Sequence, residues 1–410
     1  MSPTPIAPLN AWRALRRAAG FAIAAQVATM TAAAPLNVLV NPGDQGEQSR
    51  AASYLVLRAA LADALREAKV GEANWIISTD ATADLATTRS QMHDIFVAPA
   101  HVVSSALRHG YVPLVGNPKG AQAVIVAMKD KGMKTLADTA GKRLGLPLQD
   151  SVVTYLVRGE LNAANTSLKS HYRSVVNMRY QDALLVCLQV RECDVVGVEK
   201  AVFDRWAAAG EPVMAVMQSR PAPGLSVAMR QSIAASGATA RSLQPVLLRA
   251  LTGSPSLVKS GMDQLATVET RDYEYVSTLG YFTPRQLPGA KVVDAGAVAE
   301  LLGTGAIYID TRTEAEYRAG HVPQARLVPY VEKSAKDTDF DARLDSFDLS
   351  KLPQDKAAPI IFACNGAECW KSYKASLAAV KAGYRQVHWF RGGFPEWRNA
   401  SRQVAVAAKP

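Results

Sequence analysis

From Leu36 to about Tyr281, short apolar runs alternate with longer stretches whose apolar residues recur at helical spacing. The runs fall at 37–40, 75–77, 94–97, 123–128, 143–146 and 194–198. Each is too short for a helix, so the pattern predicts strands alternating with helices, and that order implies a largely parallel sheet covered by helices. Leu55, Leu57, Leu61 and Leu65 lie in a segment, 53–69, with few turn formers. It is expected to form a long first helix packed on the sheet. The prolines and glycines of TRDYEYVSTLGYFTPRQLPG mark a boundary near 284–290, and a second set of βα units begins at Val292.

Length and composition refine this picture. A chain of 410 residues, 49% of them apolar, exceeds what one core serves and predicts two or three globular domains. The formal charge is +10, but Lys and Arg are dispersed rather than gathered into a stripe or tail, so nucleic acid is not an expected partner. The dispersed charge favours small anionic ligands. Residues 1–34 read as a signal peptide: Arg13, Arg16 and Arg17, then an alanine-rich apolar run over 18–29, then Ala32-Ala33-Ala34 for cleavage. Export to the periplasm without stable membrane insertion after cleavage is the expectation. The cysteines then face an oxidising compartment as two local pairs, Cys187/Cys193 and Cys364/Cys369. For the first pair a structural disulfide and two inert buried thiols both stand.

Between 35 and 285 several stretches occur in a telling order: Asp94-Ile-Phe-Val-Ala-Pro99, Leu136-Ala-Asp-Thr-Ala-Gly-Lys-Arg-Leu144, Asp150-Ser151 before a helix, and Asp182-Ala-Leu-Leu before Cys193-Asp194-Val-Val. This order resembles the phosphate- and phosphonate-type solute-binding proteins of ABC importers, which implies a bilobed, hinged α/β fold. In that family the loop corresponding to PLQDSVVTYL holds an anion. Ser151 and Thr154, near a helix N-terminus with its unpaired N–H groups and positive dipole end, are the residues that would do so here. The plainer reading makes Ser151 an N-cap. His101 and Glu199 are further anion-site candidates by their position after strands, with packing the alternative for His101.

The second region, 290–405, carries the sharper chemistry. Ala306 onward reads AIYIDTRTEAEYRAGHVPQARLVPY, with Asp310, Arg312, Glu316, Tyr317 and the turn Gly320-His321-Val322-Pro323. A later stretch, 383–397, ends in Gly392-Gly393-Phe394-Pro395-Glu396-Trp397. With a cysteine loop between them, these motifs resemble the rhodanese domain, which implies an α/β domain with a parallel sheet; Gln324 departs by standing where glycine is usual. A strand, a loop and a helix start around Cys364 would aim the backbone N–H groups of Asn365, Gly366, Ala367, Glu368 and Trp370 at its sulfur. Such a cradle stabilises a thiolate and a persulfide. Lys371 adds positive charge, and Asp310 with Arg312 is expected to brace the loop.

The resemblance implies double displacement: the Cys364 thiolate takes the outer sulfur of a thiosulfate-like donor and passes it to an acceptor. No cofactor and no metal are implied. An inactive rhodanese fold serving docking or redox sensing is the rival, and a phosphatase-like cradle is disfavoured because Trp370-Lys371 offers no arginine. The loop is longer by two residues than in common family members and contains Cys369, so CNGAECW resembles the CxxxxCW signature of certain periplasmic rhodanese-like proteins. Cys369 then either resolves a persulfide, with a periplasmic thiol reductant or acceptor protein as partner, or packs against Trp370.

Overall fold

The computed structural model describes residues 34–406 except 79, 236–237, 253–256 and 258–263. The expected signal peptide lies outside the described residues up to position 33. From Pro35 onward the chain packs as one unit, and it contains three sheets.

The first lobe has six strands in the order β11-β4-β10-β3-β1-β2. They are β1 Leu36–Val40, β2 Ala73–Ile77, β3 Ile95–Ala98, β4 Tyr111–Gly116, β10 Ser226–Arg230 and β11 Ala266–Thr267. The second lobe has five, β7-β6-β8-β5-β9: β5 Ala123–Met128, β6 Arg143–Pro147, β7 Ser174–Met178, β8 Val195–Glu199 and β9 Val213–Gln218. All six apolar runs of the sequence appear as strands. The sheets are mixed rather than largely parallel, because the chain changes lobes twice. β5 enters the second lobe antiparallel to β8, and β10 returns antiparallel to β3. The two crossings are stitched by Ala121 N–H to Ala222 O (3.0 Å) and its reciprocal (2.8 Å). One apolar core, including Phe96, Val103, Leu146 and Val153, spans both lobes at this hinge.

Helix α1 (Glu47–Glu67) buries Leu57, Leu61 and Leu65, whose spacing of four keeps them on one face. Leu55, two residues from Leu57 and so about 200° around the axis, is exposed. α2 (Ala81–Ser90) starts at Asp80, whose carboxylate accepts from Thr82 N–H and Ala83 N–H. α3 (Ala100–Arg108) follows β3, and α4 (Val152–Ala163) follows β6 with Ser151 as its N-cap. Cys187 and Cys193 form a buried disulfide that closes the turn before β8, with Cα atoms 5.2 Å apart.

The third sheet is entirely parallel, in the order β12-β16-β15-β13-β14. It is made of β12 Ala290–Val292, β13 Ile307–Asp310, β14 Arg326–Leu327, β15 Ile360–Ala363 and β16 Val387–Phe390. All four residues of β15 are buried, as the central strand of a two-sided parallel sheet requires. Pairing of Asp310 with Ala363 sets the carboxyl ends of β13 and β15 side by side, and the chemistry-bearing loops leave from there. Among the described residues no helix is long and apolar enough to cross a membrane, and no group of His, Cys, Asp and Glu is placed to hold a metal.

Candidate functional site

Cys364 is the first residue after β15 and is 1% exposed. Its Sγ lies 3.2 Å from Ser372 Oγ and 3.1 Å from the Cys369 carbonyl oxygen. Ser372 Oγ accepts from the buried Trp389 Nε1–H at 3.1 Å, which leaves the hydroxyl proton free to point at the sulfur. Ser372 is not among the site residues expected from the sequence. The signal available was its position in the first turn of the helix that follows the cysteine loop.

The loop is held from every side. Gly393 has φ +58°, and a Cβ there would collide with the Cys364 carbonyl oxygen, so only glycine fits. Phe394 N–H donates to that same carbonyl at 2.9 Å. Asn365 Nδ2 donates to Glu316 Oε1 at 2.5 Å, while Glu316 Oε2 caps its own helix through Thr313. Arg312 forms a two-pronged pair with Asp310 (Nε–Oδ1 2.9 Å, Nη2–Oδ2 2.6 Å) and also donates to Gly320 O at 2.8 Å, so the pair braces β13 against the following turn. Among the described residues the backbone N–H groups of 365–368 donate to nothing, which leaves them for an anionic group. Cys369 is bonded to Cys364 as a disulfide, Cα atoms 6.3 Å apart. Trp370 stacks edge-on to Tyr373, and Lys371 makes no ion pair among the described residues.

The same loop is docked on the segment that leaves the lobes. Thr283 donates through both N–H and Oγ1 to Ala367 O (2.8 Å each), and Trp370 Nε1–H donates to Tyr281 O at 2.8 Å. Glu368 pairs with Arg108 of α3 at 2.7 Å. A Cβ on Gly280 would meet the Glu368 carboxylate and displace it, so the loop and this segment approach closely here. Between the loop and α2 lies a cavity of about 310 Å³, lined by Thr82 and Arg89 on one side and by Asn365, Cys369 and Lys371 on the other. Cys364 is not among its lining residues.

Ser151 and His101 come together in a second, smaller cavity of about 50 Å³ between the lobes, with Asp44, Arg50, Asp150 and Arg179. Ser151 Oγ accepts from Val153 N–H at 3.2 Å. His101 is 3% exposed with neither ring nitrogen hydrogen-bonded. Burial pushes it down to about 4 against the pull of Asp150, so it is neutral at pH 7. The Asp150 carboxyl, pushed up by burial, is drawn below its ordinary value by the Lys336 ammonium and the Thr82 hydroxyl. Lys336 Nζ lies 2.5 Å from Asp150 Oδ2, and Thr82 Oγ1 donates to the same oxygen at 2.6 Å. One carboxylate of the second lobe thus ties in the first lobe and the C-terminal domain.

Thr154 and Glu199 are placed elsewhere. Thr154 Oγ1 donates back to Leu148 O at 3.1 Å and lines a separate cavity of about 320 Å³ with Arg158 and Lys336. Glu199 accepts from Gln181 and Gln45 (3.0 and 3.1 Å), and burial, reinforced by Asp44, pushes it up to about 7.

A family model for the periplasmic substrate-binding protein of phosphonate ABC transporters matches residues 46–273, and one for the rhodanese-like domain matches 294–400. The chain belongs to the phosphonate-type substrate-binding proteins and ends in a rhodanese domain. Over 111 residues this domain is 31% identical to thiosulfate sulfurtransferase 18 of Arabidopsis thaliana, covering 26% of the chain and 76% of that protein. Over 119 residues it is 29% identical to the mitochondrial protein HIGH ARSENIC CONTENT 1 of the same plant, covering 28% of the chain and 67% of that protein. Similar solved structures include PhnD1 of Prochlorococcus marinus in complex with methylphosphonate (TM-score 0.49, 12% identity, 60% of this chain and 96% of that one). Another is a binding-protein component of a phosphonate transporter from Pseudomonas aeruginosa (TM-score 0.48, 13% identity, 60% and 85%). The substrate-binding domain thus supplies the lobes and their cleft, and the rhodanese domain supplies the cysteine loop.

Proposed function

We propose that the protein is an exported, rhodanese-type sulfurtransferase whose N-terminal domain binds a small anion in the periplasm. The Cys364 thiolate attacks the outer sulfur of a thiosulfate-like donor, the donor's S–S bond breaks, and sulfite leaves with the electron pair. A thiophilic acceptor then takes the outer sulfur of the persulfide and returns the thiolate. The observation that carries this reading is the placing of the Cys364 sulfur at the base of a loop whose N–H groups at 365–368 have no partner, with the Ser372 hydroxyl 3.2 Å away. Lys371 adds charge at the helix start, and Asp310 with Arg312 keeps the loop in place. Cys369 resolves the persulfide: its thiolate attacks the inner sulfur, releases sulfide and closes the Cys364–Cys369 disulfide, which a periplasmic thiol then reopens.

Transfer of sulfur from thiosulfate to cyanide by the reduced full-length chain tests the reading. Cys364→Ser is expected to abolish thiocyanate formation with little change in stability, and equal activity in that variant would eliminate the mechanism. One observation favours a second reading. The disulfide and the docking of the loop on Tyr281 and Thr283 suit a redox sensor in which the rhodanese domain reports its oxidation state to the binding lobes. A chain that binds its anion differently in the oxidised and reduced states, yet makes no thiocyanate, would support that alternative.

A further inference from the structure

The cavity between the cysteine loop and α2 is walled by two domains, and its charges do not cancel. Its acids are already engaged: Asp80 caps α2, Glu368 pairs with Arg108, and Glu332 pairs with Lys374 at 2.7 Å. Of its cations, Lys336 is committed to Asp150 and Arg312 to Asp310, whereas Arg89 and Lys371 form no ion pair among the described residues. Arg89 is 5% exposed, and its Nε has no hydrogen-bond partner. Arg312 Nη1, another buried donor of this lining, is likewise unpartnered. Buried guanidinium donors left unmade are costly, so a site of this kind is built for something that satisfies them. The sulfur among the lining residues is that of Cys369, while Cys364 lies outside the lining at 1% exposure.

We infer that this cavity receives a small thiol bearing a sulfonate or carboxylate, its anionic head held by Arg89 of the binding domain and Lys371 of the rhodanese domain, its sulfur against Cys369. The inference rests on the sulfurtransferase reading and names the class of reductant that reopens its disulfide. The thiolate attacks Cys369 Sγ, a new S–S bond forms, and the Cys364–Cys369 bond breaks. The electron pair leaves on Cys364 Sγ, to which the Ser372 hydroxyl 3.2 Å away donates a hydrogen bond. A second thiolate attacks the incoming sulfur, releasing the symmetric disulfide and the Cys369 thiolate. Two thiols are oxidised and one protein disulfide is reduced. Access and leaving-group stability both direct the first attack to Cys369. Arg89 is a specificity residue contributed by the domain that does not carry Cys364 and Cys369.

The test measures reduction of the Cys364–Cys369 disulfide in the full-length chain by peptide mapping, which separates it from Cys187–Cys193. The probes are 2-mercaptoethanesulfonate, 3-mercaptopropionate, neutral 2-mercaptoethanol and cationic cysteamine, compared at equal thiolate concentration. A charge-assisted contact predicts that the two anionic thiols react about tenfold faster than the neutral one, with cysteamine slowest. Arg89→Gln should bring the anionic-to-neutral ratio close to one, and Arg89→Lys should retain most of it. In Cys364→Ser the symmetric disulfide of mercaptoethanesulfonate, attacked by the Cys369 thiolate with one mercaptoethanesulfonate leaving, should give a mixed disulfide on Cys369 faster than it gives one on Cys364 in Cys369→Ser. Equal rates for all probes, an unchanged ratio in Arg89→Gln, or faster adduct formation on Cys364 would each overturn the inference. Absence of sulfur loading from thiosulfate would instead refute the proposed function and leave these rates untouched.

Discussion

Replacing Lys336 by methionine removes the cation from a pair in which Asp150 is 3% exposed and Lys336 8% exposed. Removing one partner of a buried pair costs about 3–5 kcal/mol, because the remaining charge stays buried. Asp150 keeps the Thr82 hydroxyl at 2.6 Å, which places the expected loss at the lower end, about 3 kcal/mol. Urea unfolding of the full-length chain, followed by tryptophan fluorescence, measures it. Asp150→Asn combined with Lys336→Met removes both charges and should recover most of the loss, giving a coupling energy of about 2 kcal/mol in the double-mutant cycle. The pH dependence has a fixed sign. Asp150 titrates below its ordinary 3.8 in the folded chain, so the pair's contribution is complete above that value and is lost as the pH falls through the lower folded-state value. The difference between the parent chain and Lys336→Met should therefore be flat at neutral pH and shrink only in acid. Single losses within about 1 kcal/mol, the range of a solvated surface pair, together with additive behaviour, would refute a buried tie between the rhodanese domain and the cleft.

Glu199 is pushed up from 4.5 to about 7, so the folded chain takes up its proton before the unfolded chain does, and stability should fall as pH rises from about 4.5 to 7. Glu199→Gln should remove that slope and raise stability at pH 8 by up to about 3 kcal/mol; an unchanged slope in thermal melts between pH 5 and 8 would count against burial as the cause. Gln324 sits at φ +65° in the turn after His321, a left-handed conformation costing about 1–2 kcal/mol for a residue with a Cβ. Gln324→Gly should raise the unfolding free energy measured in urea by about 1 kcal/mol, since glycine's own chain entropy offsets part of the gain; a destabilised variant would contradict it.

The parts of this protein legible from sequence are those in which neighbours along the chain are neighbours in space. Asp310 and Arg312 pair two residues apart, and Cys364 begins a strand–loop–helix whose shape follows from its apolar strand and alanine-rich helix. The unusual Gln324 announced a glycine-like position, and the backbone there is indeed left-handed. What escaped notice depends on long-range placement. Thr283 and Tyr281 meet the cysteine loop because the segment after the lobes folds back upon it, and Arg108 of α3 meets it across the same contact. Lys336 lies in a polar stretch with no periodicity, and nothing in its neighbours points to Asp150, 186 residues away. The mixed sheets likewise follow from two lobe crossings that apolar runs do not encode. The hydroxyls nearest the α4 N-terminus are occupied by the backbone, Ser151 in the cleft by Val153 N–H and Thr154 outside it by Leu148 O. Among the described residues of the cleft, His101 and Arg50 Nε are buried without hydrogen-bond partners.

Mass spectrometry of the full-length chain, reduced, exposed to thiosulfate and digested without further reductant, tests the sulfurtransferase account most directly. The account predicts that in Cys369→Ala, where no internal thiol displaces the sulfur, the peptide containing Cys364 gains one sulfur atom, that addition of cyanide removes it, and that Cys364→Ser gains none. No gain on that peptide in Cys369→Ala, or a gain on Cys369 in Cys364→Ser, would contradict it.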